Sequence, residues 1–215
     1  MINLLLDTST ATFTLIISKE DQELKKIELN NMKEHSKYAL SSIKEAFSEL
    51  KLDPNDIDNI IVINGPGSFT GTRIGVTIAK TYAVALNKKI YSISSLKANA
   101  LSYDNSDYYV VFIDARRDKV FGAIYDHNYQ EILKEQYLDF VVLLDEASQL
   151  NGKKTYIGDC LSNDISIKPL KININVINYV LKNYKPLNPH LVNPNYLKLV
   201  EAEERKNQVK HDSKL

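Results

Sequence analysis

This sequence is poor in cysteine. Cys160 stands alone, which excludes an internal disulfide and fits a reducing compartment. A lone thiol of this kind behaves as a small apolar side chain. Long apolar runs are missing too, and none approaches the roughly 18 residues of a membrane span. The first residues, Met1 to Asp7, have no leading basic residue and are too short for the apolar core of a secretion signal. A cytoplasmic protein with no membrane partner is therefore expected. Neither charge is in excess: Lys plus Arg and Asp plus Glu both number 27, for a formal net charge of zero. Proteins that grip nucleic acid by its backbone carry a basic excess or stripe, so direct nucleic-acid binding by this chain alone is disfavoured. Histidine is scattered over His35, His127, His190 and His211, none spaced as a helical metal pair requires. H-E-x-x-H and G-x-S-x-G are both absent, which removes two common hydrolase signatures.

What remains is ordinary globular material with one unusual stretch. Hydrophobic residues make up 44% and charged residues 25%, enough for one large or two small domains with a real core. The stretch is Gly65-Pro66-Gly67-Ser68-Phe69-Thr70-Gly71-Thr72-Arg73-Ile74-Gly75, which follows Ile60-Ile61-Val62-Ile63 and opens an apolar helix over 72–86. A strand that ends in a glycine-rich turn and feeds a helix aims unpaired N–H groups at whatever lies above it, which suits an anion. The same glycines serve equally for a tight turn or a close approach. Two phosphate loops are excluded. No Lys follows Gly71, as a P-loop needs, and the spacing is G-x-G-x-x-x-G rather than G-x-G-x-x-G.

The first half reads as strands over 2–6, 13–18, 24–29, 60–64 and 90–93, with helices over 36–50 and 72–86. The earlier helix places Ala39, Leu40, Ile43, Ala46, Phe47 and Leu50 on one face. Ser94 and Ser95 are cap candidates for a further short helix. The second half starts the theme again, with strands over 109–113, 120–125, 132–137 and 154–157 and helices over 141–150 and 173–184. Pro186, Pro189 and Pro194 mark an extended connector, a final helix is expected over 197–205, and the tail 206–215 reads as disordered. Two copies of a three-strand meander followed by helices predict an α/β fold made of a duplicated ribonuclease-H-like unit, with mixed sheets flanked by helices. The expected divisions are 1–102, a degenerate second unit over 103–195, and a C-terminal helix and tail over 196–215.

The glycine loop, with Leu4-Leu5-Leu6-Asp7-Thr8-Ser9, His35-Ser36, Ser94-Ser95-Leu96, Asp114-Ala115-Arg116 and Asn193-Pro194-Asn195-Tyr196-Leu197, resembles the TsaB family of bacterial tRNA threonylcarbamoyladenosine biosynthesis proteins. The resemblance runs in order along almost the whole chain. It implies the actin-like ATPase and sugar-kinase superfamily, and a non-catalytic subunit that binds the catalytic TsaD. It also implies work with the ATPase TsaE, contact with tRNA only through the complex, and a homodimer when the chain is alone. The paired histidines with which TsaD binds a metal have no match in Ser94-Ser95-Leu96-Lys97-Ala98, so no metal is expected.

Candidate sites follow from both lines. Asp7, Thr8 and Ser9, with Gly65 and Gly67, are nucleotide-contact candidates, because a carboxylate and hydroxyls at a strand end suit Mg²⁺ and phosphate. A local Asx turn is the alternative. No cofactor is required; weak ATP or ADP binding with magnesium is the most that is expected. Ser68, Gly71 and Arg73 are read as structural, with Arg73 as a pin that holds the loop's shape. The Asp114–Arg116 corner reads either as an ion pair bridging the halves or as an anion contact. The helix over 72–86 is apolar on nearly every side, and such a helix is buried all round. Gly71, Gly75, Ala79 and Ala83 recur every four residues as a shallow ridge that a second helix can approach. Ile74, Gly75, Ile78, Ala79 and Tyr82 are accordingly the interface candidates, and a core helix is the alternative. A nucleotide-dependent kinase-like enzyme and a glycoprotease-type peptidase acting through Ser68 are the rival functions.

Overall fold

The computed structural model describes residues 1–30, 35–159 and 165–198. Five strands form the first sheet: β1 (Ile2–Asp7), β2 (Phe13–Lys19), β3 (Gln22–Leu29), β4 (Ile57–Ile63) and β5 (Lys89–Ile93). Their spatial order is β3-β2-β1-β4-β5. The meander β1-β2-β3 is antiparallel, whereas β4 joins β1 and β5 joins β4 in parallel. Parallel pairing requires long crossovers, and helices α1 (His35–Leu50) and α2 (Phe69–Ala85) occupy two of these connections.

The central strands are apolar on both faces because both faces are covered. Alternate residues Leu4, Leu6, Leu15, Ile17, Ile60 and Val62 meet α1 and α2 through Ala39, Ile43, Phe47, Val76, Ala79 and Ala83. The intervening residues Leu5, Ile16, Ile61, Ile63 and Ile93 meet α3 (Ser95–Ala100) and α5 (Ile174–Asn183) through Ala98, Val176, Ile177 and Val180. One helix of the second half thus closes the core of the first.

The second sheet contains β6 (Tyr108–Asp114), β7 (Lys119–Asp126), β8 (Glu131–Asp139), β9 (Lys154–Gly158) and β10 (Ile167–Lys168), in the order β10-β9-β6-β7-β8. Strand for strand this is the first sheet again, the duplicated ribonuclease-H-like arrangement expected from the sequence. Helix α4 (Phe140–Ser148) covers one face through Leu143 and Ala147. Leu96 and Ala100 of α3 cover the other. Helix α3 is therefore wedged between the two sheets. The repeat is shortened where β9 passes to β10: the connection spans only 159–166, against 64–88 in the first half.

After α5 the chain returns to the first half as a strap. Leu187 bridges Ile90 at the β5 edge. Lys80 Nζ of α2 donates to the carbonyls of His190 and Val192, at 3.3 and 2.9 Å. Val192 itself enters the first core. Helix α2 starts three residues earlier than the sequence reading placed it, because Ser68 caps it by accepting from the Gly71 amide at 3.1 Å. Leu40, read as a core position, is 52% exposed on the outer side of α1. Cys160, the tail 206–215 and all but the first two residues of the helix expected over 197–205 lie outside the described residues; Leu197 and Lys198 form a bend.

Candidate functional site

The glycine loop packs against the end of β1. Asp7 is nearly fully buried, and its Oδ1 accepts from both the Ser9 amide and the Ser9 hydroxyl at 2.7 Å. Thr8 Oγ1 donates to the Gly71 carbonyl at 2.6 Å, and the Ser68 amide donates to the Ser9 carbonyl at 2.6 Å. Burial pushes the Asp7 carboxyl up to about 6, against the opposing pull of its two bonds from Ser9. On the far side, the Ser95 amide donates to the Gly65 carbonyl at 2.8 Å, and the Ser95 hydroxyl donates to the Pro66 carbonyl.

The glycines act by close approach. A Cβ at Gly67 would stand 2.1 Å from the Ser9 carbonyl oxygen, one at Gly71 2.0 Å from the Thr8 carbonyl oxygen, and one at Gly75 2.3 Å from Thr8 Oγ1. Gly65 (φ 95°) and Gly67 (φ 154°) also adopt backbone that other residues rarely take. The expectation that the ridge meets a foreign helix is corrected here. Gly71, Gly75, Ala79 and Ala83 are all buried against this chain's own sheet and the Thr8 turn. Gly75 and Ala79 therefore have no surface to offer a partner. The expectation of a helix buried all round is corrected with it: Arg73, Thr77, Thr81 and Val84 of α2 are exposed.

These contacts bear on the magnesium-nucleotide role that the resemblance implies for Asp7, Thr8, Ser9, Gly65 and Gly67. The hydroxyls of Thr8 and Ser9 and the amides of Ser9 and Ser68 all donate within the chain, and the buried carboxyl carries a raised pKa. Among the described residues no cluster of three His, Cys, Asp or Glu side chains could hold a metal. The corner does not fit a magnesium-phosphate clamp. The first-turn amides of α2 are the anion-directed feature that the loop retains.

Arg73 leans over the Phe69 ring, 3.8 Å from its centroid, and its Nε donates to the Tyr196 hydroxyl at 2.6 Å. The Phe69 and Tyr196 rings lie 5.2 Å apart. Asn64 Nδ2 donates to the Asn193 carbonyl at 3.0 Å, and the Asn195 amide donates to the Asn64 carbonyl at 2.7 Å. Arg73 thus joins the first turn of α2 to the strap. Tyr196 is the partner of Arg73 that sequence reasoning did not single out; its place in the closing Asn-Pro-Asn-Tyr-Leu motif was the available signal.

No imidazole is hydrogen-bonded to the exposed Ser68 among the described residues, and His127 meets Asn128 instead. The ion-pair reading of the Asp114–Arg116 corner is corrected as well. Asp114 Oδ1 accepts from the Arg116 amide at 2.8 Å and the Asp114 amide donates to Asp159 Oδ1 at 2.7 Å. Among the described residues neither Arg116 nor Arg117 makes an ion pair. Arg116, Arg117 and Asp118 all take positive φ, so the corner is a tight turn.

The Thr8, Ser9 and Ser68 groups of this corner bond inside the chain, whereas several side chains on the outer face of α1 and α2 are apolar. Tyr38 and Leu40 of α1 and Val84 of α2 are exposed, and Ile74, Ile78 and Tyr82 are half-buried on α2. They share the sheet face on which α1 and α2 pack together.

A family model described as TsaD, tRNA N6-adenosine threonylcarbamoyltransferase, matches residues 25–175. The TsaB protein of Bacillus subtilis (strain 168) is 28% identical over 93% of this chain and 95% of its own length. The TsaB protein of Haemophilus influenzae is 32% identical over 55% of this chain and 51% of its own. Two solved Pseudomonas aeruginosa structures share the fold. A protein with similarity to the peptidase YeaZ has a TM-score of 0.75 at 20% identity, covering 92% of this chain and 99% of its own. YeaZ itself has a TM-score of 0.70 at 17% identity, covering 91% and 99%. With the family model spanning most of its length, the chain belongs to the tRNA N6-adenosine threonylcarbamoyltransferase family, and within that family it is similar almost end to end to a TsaB protein.

Proposed function

We propose that this protein is a supporting subunit in the formation of N6-threonylcarbamoyladenosine in tRNA, and that it binds the catalytic TsaD through the outer face of α1 and α2. The observation that carries this reading is the outward apolar face of Leu40, Ile74, Ile78, Tyr82 and Val84, exposed or half-buried while Gly71, Gly75, Val76, Ala79 and Ala83 of α2 are packed inside. The chemistry of threonylcarbamoyl transfer belongs to TsaD in this reading. No cofactor is required here; magnesium with ATP or ADP is held weakly at most, where the subunits meet, and TsaE acts on the assembled pair. Without TsaD the same face joins two copies of this chain. The internally bonded Asp7–Ser9 corner supports a supporting role over a kinase-like one, and Ser68 without a histidine partner leaves the peptidase reading with no observation behind it.

The test is co-expression with TsaD. Leu40→Asp with Val84→Asp changes two exposed positions and leaves the core intact, so the variant folds. It is expected to lose at least about tenfold in affinity for TsaD, since burying charge in an interface core costs several kcal/mol. Unchanged co-purification, with an unchanged circular dichroism spectrum, would overturn the assignment.

A further inference from the structure

Overall neutrality conceals a local imbalance. Residues 165–198 contain five lysines (Lys168, Lys171, Lys182, Lys185 and Lys198), one histidine and no aspartate or glutamate, so the rest of the chain is net acidic. We infer that the outer face of α5, with the residues that enter and leave it, is a docking surface for the sugar-phosphate backbone of a folded RNA. Given the proposed function, that RNA is the tRNA substrate, and the identity of the RNA rests on that reading.

The placement follows from how α5 packs. Val176, Ile177 and Val180 point into the first core, which turns Asn178 and Lys182 outward one helical turn apart. Lys171 enters the helix and Lys185 leaves it, and both are exposed. A helix of this length spans about 15 Å, roughly two Debye lengths at physiological ionic strength, so its cations are screened from one another and each meets a phosphate of its own. Lys182 in the last turn complements the helix dipole, but Lys171 and Lys185 lie beyond both ends and have no such role. Three lysines of the first 159 residues meet carboxylates, Lys25 with Glu49, Lys26 with Glu28 and Lys119 with Asp139, and Lys80 and Lys88 donate to backbone carbonyls. Among the described residues Lys168, Lys171, Lys182 and Lys185 form no ion pair, and the Lys171 ammonium lies over the Tyr103 ring, 4.0 Å from its centroid.

The surrounding chemistry favours RNA over an acidic protein. Protein interfaces have apolar cores depleted of lysine, and this face presents amides and ammonium groups instead. Asn178 and Asn183 offer exposed donors and acceptors for phosphate and ribose. Half-buried Tyr179 and Tyr184 stand edge to face, 6.1 Å apart, with the Lys97 ammonium 5.5 Å from the Tyr179 ring, a surface on which an unpaired base can stack. Asp104 lies beside Tyr103 at the Lys171 end and accepts from the Tyr129 hydroxyl at 3.4 Å; at the other end Glu131 and Glu135 of β8 lie toward Tyr184, with Glu135 held by the Tyr125 hydroxyl at 2.7 Å. They bound the surface on that side. Helix α5 also covers the sheet face opposite α1 and α2, so RNA and TsaD do not compete for space.

The experiment titrates a fluorescently labelled, unmodified tRNA transcript with the full chain, alone and co-purified with TsaD, between about 50 and 200 mM salt. The variant is Lys171→Gln with Lys182→Gln and Lys185→Gln; the charge-matched control is Lys19→Gln with Lys134→Gln and Lys153→Gln. The first variant is expected to bind at least about tenfold more weakly and to lower the salt slope by two to three units, about one per phosphate-facing lysine, while the control stays near wild type. Equal affinity and slope in the two variants would overturn the inference. Failure of TsaD to co-purify would instead count against the proposed function, and the titration of the chain alone still decides the RNA surface.

Discussion

Gly75 has room for a hydrogen and nothing larger, because a Cβ would stand 2.3 Å from Thr8 Oγ1. Gly75→Ala is expected to cost about 1–3 kcal/mol by overpacking. In a Thr8→Ala background the nearest remaining atom is the Cβ at 3.5 Å, an ordinary contact, so most of that cost disappears. A double-mutant cycle by urea denaturation checks this, with a coupling above about 0.5 kcal/mol expected. Asp7 supplies a second residue-scale outcome. Its carboxyl titrates near 6 in the folded protein and at 3.8 unfolded, so between those values the native state binds more protons. Stability therefore falls as pH rises from about 4 to 6, by roughly 2–3 kcal/mol from this group alone. Asp7→Asn keeps the acceptor oxygen for Ser9 and removes the titration. Relative to wild type it gains stability at pH 7.5 over pH 4.5, which chemical denaturation of both proteins at the two values will show.

At the scale of elements, strands and helices were legible because their periods are distinct: two in Leu4–Leu6 and Leu15–Ile17, near 3.6 in Ala39, Ile43, Ala46 and Phe47. What covers an element was not legible. A ridge of Gly71, Gly75, Ala79 and Ala83 looks the same in sequence whether its neighbour is a foreign helix or the Thr8 turn of the same chain. The internally bonded state of the Asp7 corner was equally hidden, since a carboxylate beside two hydroxyls spells an Asx turn and a cation site alike. The strap was legible as an extended connector from Pro186, Pro189 and Pro194, but where it docks was not. It has no period, and it holds on through backbone carbonyls at His190, Val192 and Asn193. Its one buried apolar side chain decides its stability contribution. Val192 is 1% exposed and Leu191 is 73% exposed. Val192→Ala is expected to lower stability by about 1–3 kcal/mol and Leu191→Ala to leave it unchanged, measured by thermal melts in circular dichroism.

For the whole molecule, two faces of one sheet are covered by helices of different outer chemistry. Helices α1 and α2 present apolar side chains on one, and α5 presents lysine and asparagine on the other. Binding of TsaD is expected to slow hydrogen exchange in α1 and α2 and to leave the amides of α5 unchanged; protection confined to α5 would reverse the assignment of faces. The halves are joined by α3 between the sheets, by α5 on the first core and by the strap over α2, so the pair is stitched three times.

That stitching sets an order of events during synthesis. Leu5, Ile16, Ile61 and Ile63 emerge from the ribosome long before Val176, Ile177 and Val180, the residues that cover them. Domains usually settle one after another as the chain lengthens. Here one face of the first sheet is covered only by α3 until the second half has been made, and the two halves reach their final state together.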